Sequence, residues 1–322
     1  MNETVLIPLL TRFDEQEEIR WTNLIQDALD AKSQSRKFIV LPHKQLSDAE
    51  RKMCDIAICA NPDLKQLVDY PNLKWVQNLW AGVDNLLALF KDTSVQVVRL
   101  IDPQLALSMS ESVLLWSLYL HKQAPLYLKQ QQQALWKRHH AISPRECNIG
   151  ILGAGKLGHK SAERLKQNGF SVHLWSRSAK SLTGINTYSG QSGLKQMLPQ
   201  CQILVVLLPL TQETNGLLDI EHLSLLPTGA GVINFGRGAI LNDNALVSLL
   251  AKRHIAHAVL DVFAVEPLPK TSSFWSNPNV TVLPHVAAQT QPQTASLIAA
   301  RSIVDYIESN QQPHFVDKTL GY

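Results

Sequence analysis

The segment that most limits what this chain can become is "NIGILGAGKLGHKSAERLKQNGF", residues 148–170. An apolar run from Ile149 to Leu152 leads into Gly153-x-Gly155-x-x-Gly158, and Ala162, Leu165 and Phe170 then recur at helical intervals. Glycines so spaced are common in loops, but strand, glycine turn and helix in this order form the setting that binds a dinucleotide. The first glycine allows the tight turn and the second admits a pyrophosphate close to backbone N–H groups. The third lets helix and strand approach. The helix N-terminus adds partial positive charge toward the phosphates. Gly153, Gly155, Lys156, Leu157 and Gly158 are therefore the expected phosphate contacts.

The next strand qualifies the cofactor. In such units an Asp or Glu about 20 residues past the glycines holds the ribose 2′-hydroxyl. Here "SVHLWSRSAK" places Ser176 eighteen residues after Gly158, with Arg177, Ser178 and Lys180 close behind. A neutral hydroxyl removes the carboxylate that would repel a 2′-phosphate, and an arginine fork suits phosphate oxygens. The expected cofactor is NADPH, with NADH possible, and the expected direction of use is reduction. The alternative is a solvated basic turn.

At 322 residues the chain has room for two domains, each with its own core. The first hundred residues alternate strand-like runs ("TVLIPL", "KFIVLP", "DIAICA", "LKWVQN", "VQVVRLID") with helical patterns at 15–31, at 46–52 and after Asp84. A long helical pattern from about Leu107 to Lys122 follows, interrupted at Pro125. From Cys147 a second series begins: "NIGILG", "VHLWS", "QILVVLLP", "GVINF", "HAVLDVF" and "VTVLPH". The expected fold is α/β, two doubly wound parallel-sheet domains: a flavodoxin-like, discontinuous one (1–104 and 287–322) for substrate, and a Rossmann dinucleotide-binding one (105–286). The last helical stretch, "QTQPQTASLIAARSIVDYIESN", is expected to return to the first domain. A cleft between the two would hold the active site.

Composition excludes several classes. A net charge of +3, with scattered Lys and Arg, offers no stripe for nucleic acid. No apolar run approaches membrane-spanning length. Cys54, Cys59, Cys147 and Cys201 lack metal-ligand spacing and no metal is expected. Without a secretory signal they read as reduced thiols of a cytoplasmic protein. Gln130–Gln133 is expected on a solvated helix face. Two adjacent histidines, His139 and His140, would diverge on a helix and so make a poor metal site.

Three polar residues follow strands of the second series: Arg237 in "VINFGRGAI", Glu266 in "LDVFAVEP" and His285 in "VLPHVAA". Open α/β sheets meet their ligands at strand carboxyl ends. An arginine can hold a carboxylate and polarise a carbonyl. A histidine can pass a proton near neutrality. A glutamate on its second ring nitrogen can fix the tautomer and keep the ring protonated. Each has a bland reading alone, as a structural histidine, a surface arginine or a turn cap. Together they describe redox chemistry at a 2-oxo or 2-hydroxy acid.

"GAGKLG", "INFGRG", "LDVFAVEP" and "LPHVAAQT", with "WSRSAK", "ALWK" and the closing "GY", resemble the successive signatures of the D-2-hydroxyacid dehydrogenase family, essentially end to end. The resemblance implies that Arg237, Glu266 and His285 are catalytic, and that Asp261 bonds the nicotinamide carboxamide. It also implies that Leu208 and Pro209 lie along the cofactor. "NLWAGVDNL" resembles the loop whose backbone N–H groups, at Ala81, Gly82 and Val83, bind the substrate carboxylate. Trp80 stands where many members have glycine, and either narrows the pocket or turns away as packing. Gly236 stands where alanine or serine is usual, and Phe235 is bulkier than in some relatives. The implied activity is NADPH-dependent reduction of small 2-oxo acids, glyoxylate to glycolate and hydroxypyruvate to D-glycerate. A larger 2-oxo acid is the alternative, and a nucleotide-sensing binding protein a more distant one. A homodimer is implied, with "LYLKQQQQALWKRHH" in the contact and Trp136 against the partner.

Overall fold

Branched and apolar runs separated by capped helices set the architecture, and the computed structural model describes it for residues 4–321. Tyr322, part of the closing "GY", lies outside the described residues. All ladders in both sheets are parallel. The chain divides into two units, residues 1–104 with 290–322, and residues 105–289.

The first unit contains β1 (Thr4–Thr11), β2 (Lys37–Pro42), β3 (Ile56–Ala60), β4 (Trp75–Asn78) and β5 (Gln96–Val98), in the order β2-β1-β3-β4-β5. This is the flavodoxin-like winding. Every residue of β3 is buried, as expected for a central parallel strand covered on both faces. The helix Glu15–Lys32 starts where the Asp14 carboxylate accepts the Glu17 N–H at 2.9 Å, and acids fill its first turn. It buries Trp21, Ile25, Ala28 and Leu29 in a cluster shared with Ala295, Ala299, Ala300, Ile303 and Val304 of the helix Pro292–Ser309. At that helix's end Glu308 accepts from the Ser33 hydroxyl at 2.7 Å and from the amides of Gln34, Ser35 and Arg36. The final helix thus belongs to the first unit.

The second unit contains β6 (Asn148–Leu152), β7 (Ser171–Ser176), β8 (Asn186–Ser189), β9 (Ile203–Val206), β10 (Ala230–Asn234), β11 (Ile255–Leu260) and β12 (Val280–Val282). Their order is β12-β11-β10-β9-β6-β7-β8, so the winding reverses between β6 and β9. That switch point lies at the end of the glycine-loop strand, where doubly wound sheets bind their ligands. The edge strand β8 was not expected. Its sequence, "NTYS", has neither an apolar run nor alternation, and it forms by pairing with β7.

Three expectations need correction. The long helix begins at Pro103 and ends at His121. Pro125 then lies in the first turn of a new helix, Ala124–Gln132, where a missing N–H costs nothing. Gln130 is not on a solvated face: it is buried at 6% exposure, while Gln131, Gln132 and Gln133 are exposed. His139 and His140 lie beyond the helix in an irregular segment. The four cysteines are buried free thiols, and burial pushes Cys54 and Cys147 up to about 11 and Cys201 to about 12. No helix among the described residues is long and apolar enough to cross a membrane.

Candidate active site

The glycine loop has the geometry that each glycine requires. Gly153 adopts φ +114°, and a β-carbon there would meet the Leu207 carbonyl oxygen at 2.9 Å. At Gly158 a β-carbon would fall 1.7 Å from the Gly153 carbonyl oxygen, so only glycine lets the helix Lys156–Gln167 start so close to its own loop. At Gly155 a β-carbon would meet nothing within 4 Å. That open face, on the cap residue of a helix with no side-chain cap, suits close approach of a pyrophosphate to the first amides, near Lys156 and Leu157.

Beyond β7 the basic turn folds back toward this loop. The Ser176 hydroxyl donates to the Ser178 carbonyl at 2.7 Å, tightening the turn. Lys180 donates its ammonium to the Ala154 carbonyl at 2.9 Å, which holds a positive charge at the lip of the glycine loop. Arg177 reaches Glu213 at 3.4 Å, from the segment following Leu208 and Pro209. In that segment Thr214 donates its hydroxyl to the Pro209 carbonyl at 2.7 Å.

The three polar residues at strand ends occupy three successive turns, after β10, β11 and β12. Arg237 follows β10, whose last residue, Asn234, is fully buried. The Asn234 side chain accepts the Gly236 N–H at 3.1 Å and donates to the Arg237 carbonyl at 3.1 Å, so it shapes the turn that presents the guanidinium. A β-carbon on Gly236 would meet the Leu208 carbonyl oxygen at 2.7 Å, so this turn as folded suits glycine there. Phe235 is buried in the sheet's core.

Glu266 and His285 form a pair. Glu266 Oε2 lies 2.8 Å from His285 Nδ1, and its Oε1 accepts the Phe263 N–H at 2.9 Å. With Nδ1 donating to a carboxylate, Nε2 is the ring nitrogen left for chemistry. His285 has φ +55°, an unusual conformation for a side chain of this size. Asp261 accounts for it. Its carbonyl accepts the His285 N–H at 3.0 Å, and its two carboxylate oxygens accept the N–H groups of Val286 at 2.7 Å and Ala287 at 2.9 Å. Asp261 is only 2% exposed, so these bonds hold the turn firmly. The hydrogen bond to Glu266 raises the His285 pKa above its ordinary value, against burial and the Arg237 charge. Burial would raise Glu266, but the bonds from His285 and Phe263 hold it below the usual range. The pair is thus a carboxylate beside an imidazole whose proton it helps to hold.

In the first unit, Asn78 ends β4 and donates to the carbonyls of Trp80 at 3.0 Å and Gly82 at 2.7 Å. Ala81, Gly82 and Val83 form the turn between β4 and the helix Asp84–Phe90. The Trp80 ring packs edge-on against Trp21 and Phe13, with centroids 5.9 and 6.2 Å away. Asn78 and Asn234 escaped the sequence reading. The available signal was an amide closing a buried strand, "WVQN" and "GVIN", where an apolar residue would cost less to bury.

This arrangement of sheet, loop and strand-end residues defines a nucleotide-dependent dehydrogenase. The family profile described as "D-isomer specific 2-hydroxyacid dehydrogenase, NAD binding domain" matches residues 114–287. Glyoxylate/hydroxypyruvate reductase A of Salmonella heidelberg (strain SL476) is 34% identical over 311 residues, covering 94% of this chain and 96% of its own. A D-isomer specific 2-hydroxyacid dehydrogenase from Xanthobacter autotrophicus Py2, solved with NADPH and MES, superposes with a TM-score of 0.89. It is 34% identical, over 99% of this chain and 100% of its own. The NADPH-dependent glyoxylate/hydroxypyruvate reductase of Sinorhizobium meliloti, solved with NADP and sulfate, gives 0.86 at 30% identity, covering 99% and 100%. The chain belongs to the D-isomer specific 2-hydroxyacid dehydrogenase family.

Proposed function

We propose that the protein is an NADPH-dependent reductase of small 2-oxo acids, converting glyoxylate to glycolate and hydroxypyruvate to D-glycerate. The observation that carries the reading is the His285–Glu266 pair, fixed by Asp261 and set beside the Arg237 turn on one sheet edge. The relatives named as glyoxylate/hydroxypyruvate reductases support the choice of substrate.

The second unit is the dinucleotide-binding domain and the first supplies substrate contacts. The open face at Gly155 and the basic turn of Arg177 and Lys180, with Ser176 and Ser178, fit a dinucleotide carrying a 2′-phosphate. Asp261, Leu208 and Pro209 are its further contacts. When bound, NADPH supplies the hydride. Arg237 holds the substrate carboxylate and polarises the carbonyl, and the amides of Ala81, Gly82 and Val83 add donors for the carboxylate. His285 donates its Nε2 proton to the carbonyl oxygen as the carbon is reduced. Glu266 keeps Nδ1 protonated and stabilises the positive ring until transfer.

We assign the protein to the cytoplasm and to a homodimer. Leu126, Tyr127, Leu128, Leu135 and Trp136 are exposed along the arm after the long helix, Trp136 at 94%. Apolar surface so concentrated favours a partner, and a second copy is the occupant the family suggests.

Initial rates with glyoxylate and hydroxypyruvate, each with NADPH and NADH, test the reading. Turnover of both acids with a strong NADPH preference is expected. Equal rates with both cofactors would make Arg177 a surface residue. Inactivity in all four combinations would move the assignment to a larger 2-oxo acid.

A further inference from the structure

We propose that Asn78 is a positioning residue for the substrate carboxylate, acting by turning two backbone amides toward it; this rests on the Ala81–Val83 contact proposed above. A trans peptide is planar, and the N–H of one residue points opposite the carbonyl of the residue before it. Asn78 Nδ2 binds the Trp80 carbonyl at 3.0 Å and the Gly82 carbonyl at 2.7 Å. Both carbonyls are therefore drawn to the same side, toward the end of β4. The N–H groups of Ala81 and Val83 belong to those same two peptide planes and face the other way. One amide nitrogen thus sets the direction of two donors.

The rest of the geometry makes this arrangement rigid. Asn78 is 2% exposed, and Leu79 donates its N–H to the Cys59 carbonyl at 2.8 Å, so the strand end cannot slide. The Trp80 carbonyl also accepts the Leu100 N–H at 3.0 Å, which pins the first plane from a second direction. Gln77 donates to the Asn78 carbonyl at 3.0 Å. The Trp80 ring packs edge-on against the stacked rings of Phe13 and Trp21, so the turn cannot rotate without breaking an aromatic cluster. Preorganised donors of this kind lose little freedom when an anion arrives, and so bind it more tightly than a mobile loop would. No other residue type of this size can donate to both carbonyls at once: aspartate has no N–H, and serine and threonine have one donor each.

The test is steady-state kinetics of Asn78→Asp in the full chain, with glyoxylate and NADPH, beside inhibition by oxamate and NADPH binding measured by fluorescence. Aspartate keeps the shape but offers no N–H: ionised it repels both carbonyls, and protonated it has one O–H for only one of them. The expected result is a rise in KM for glyoxylate on the order of tenfold or more, from two lost hydrogen bonds. A matching rise in the oxamate inhibition constant, a smaller change in kcat and unchanged NADPH binding should accompany it. Asn78→Ser, which can reach only one carbonyl, should fall between the two proteins and serves if the aspartate variant does not fold. An unchanged KM in a folded variant overturns the proposal, and so does NADPH binding weakened by the same factor. If both variants are unfolded, Asn78 is a folding residue and the proposal is wrong. Wild-type protein that reduces no glyoxylate would break the underlying reading instead, and that result is visible before any variant is made.

Discussion

β4 and β10 each end on a buried asparagine, and the two side chains work in different ways. Asn234 uses both halves of its amide, accepting the Gly236 N–H and donating to the Arg237 carbonyl. It tightens a turn so that a side chain, the Arg237 guanidinium, is presented. Asn78 uses only its nitrogen, on two carbonyls, and what it presents is backbone. In the proposed mechanism the second unit's chemistry lies in side chains, at Arg237, Glu266 and His285, and the first unit's contribution lies in oriented amides. Side chains can titrate and amides cannot, so proton transfer and the pH dependence of the rate should reside in the second unit alone.

The strongest way to break that contrast is His285→Ala. Loss of the proton donor should lower the rate of glyoxylate reduction on the order of 10²–10⁴-fold, with NADPH binding preserved. Unimpaired turnover would remove His285 from the mechanism. Next in size is Asn234→Ala, which leaves the Gly236 N–H and the Arg237 carbonyl without their partner. A loss of roughly 10- to 100-fold in kcat/KM is expected, since a buried polar group left unpaired costs about 1–3 kcal/mol. It should fall on kcat as well as KM, in contrast with the KM-weighted effect expected at Asn78.

The third prediction concerns pH. Glu266 raises the His285 pKa, and the proposed proton transfer uses the protonated ring. The rate of reduction should be full at low pH and fall as pH rises through a value above 6.5. Glu266→Gln removes the raising charge, so the falling limb should move to lower pH. A limb that stays in place would mean that another group titrates. Asn78→Ser should leave the limb where it is, because neither the serine nor the loop amides titrate in that range.

The smallest effect concerns a carboxylate held by backbone in the first unit. Burial opposes ionisation of Glu308, but the Ser33 hydroxyl and the amides of Ser35, Gln34 and Arg36 hold its pKa down to about 2, from an ordinary 4.5. A folded-state pKa below the unfolded value stabilises the protein above about pH 4.5 and ceases to do so as pH falls toward 2. Glu308→Gln should lower the urea midpoint at neutral pH, and the gap to wild type should narrow at pH 3. A gap that is constant with pH would assign the loss to packing.

Much of this was legible along the chain, because the signals are local. The glycine spacing, the apolar run before it and the helical pattern after it lie within one segment, and backbone geometry permits little else there. The strand-end positions of Arg237, Glu266 and His285 followed from the alternation of strands and helices. The parallel strands read as continuous apolar runs because both of their faces are covered. Where polar residues fill a structural position, the reading failed. β8 exists only because β7 offers an edge for it to pair with, and nothing near Gln130 in sequence indicates that it is buried.

The amino-acid sequence by itself determined the class of fold, the glycine turn after β6, the basic residues that stand in place of an acid after β7, and the strand-end places of Arg237, Glu266 and His285. Those are matters of residue type and short-range spacing. The tertiary structure decided which partners hold them. Glu266 meets His285 across 19 residues, Asp261 reaches the Val286 and Ala287 amides from 25 and 26 residues away, and Lys180 reaches the Ala154 carbonyl from 26. Hydrogen bonds depend on distances of about 3 Å and on direction, and the sheet register that sets those distances is a property of the folded chain, not of any segment in it.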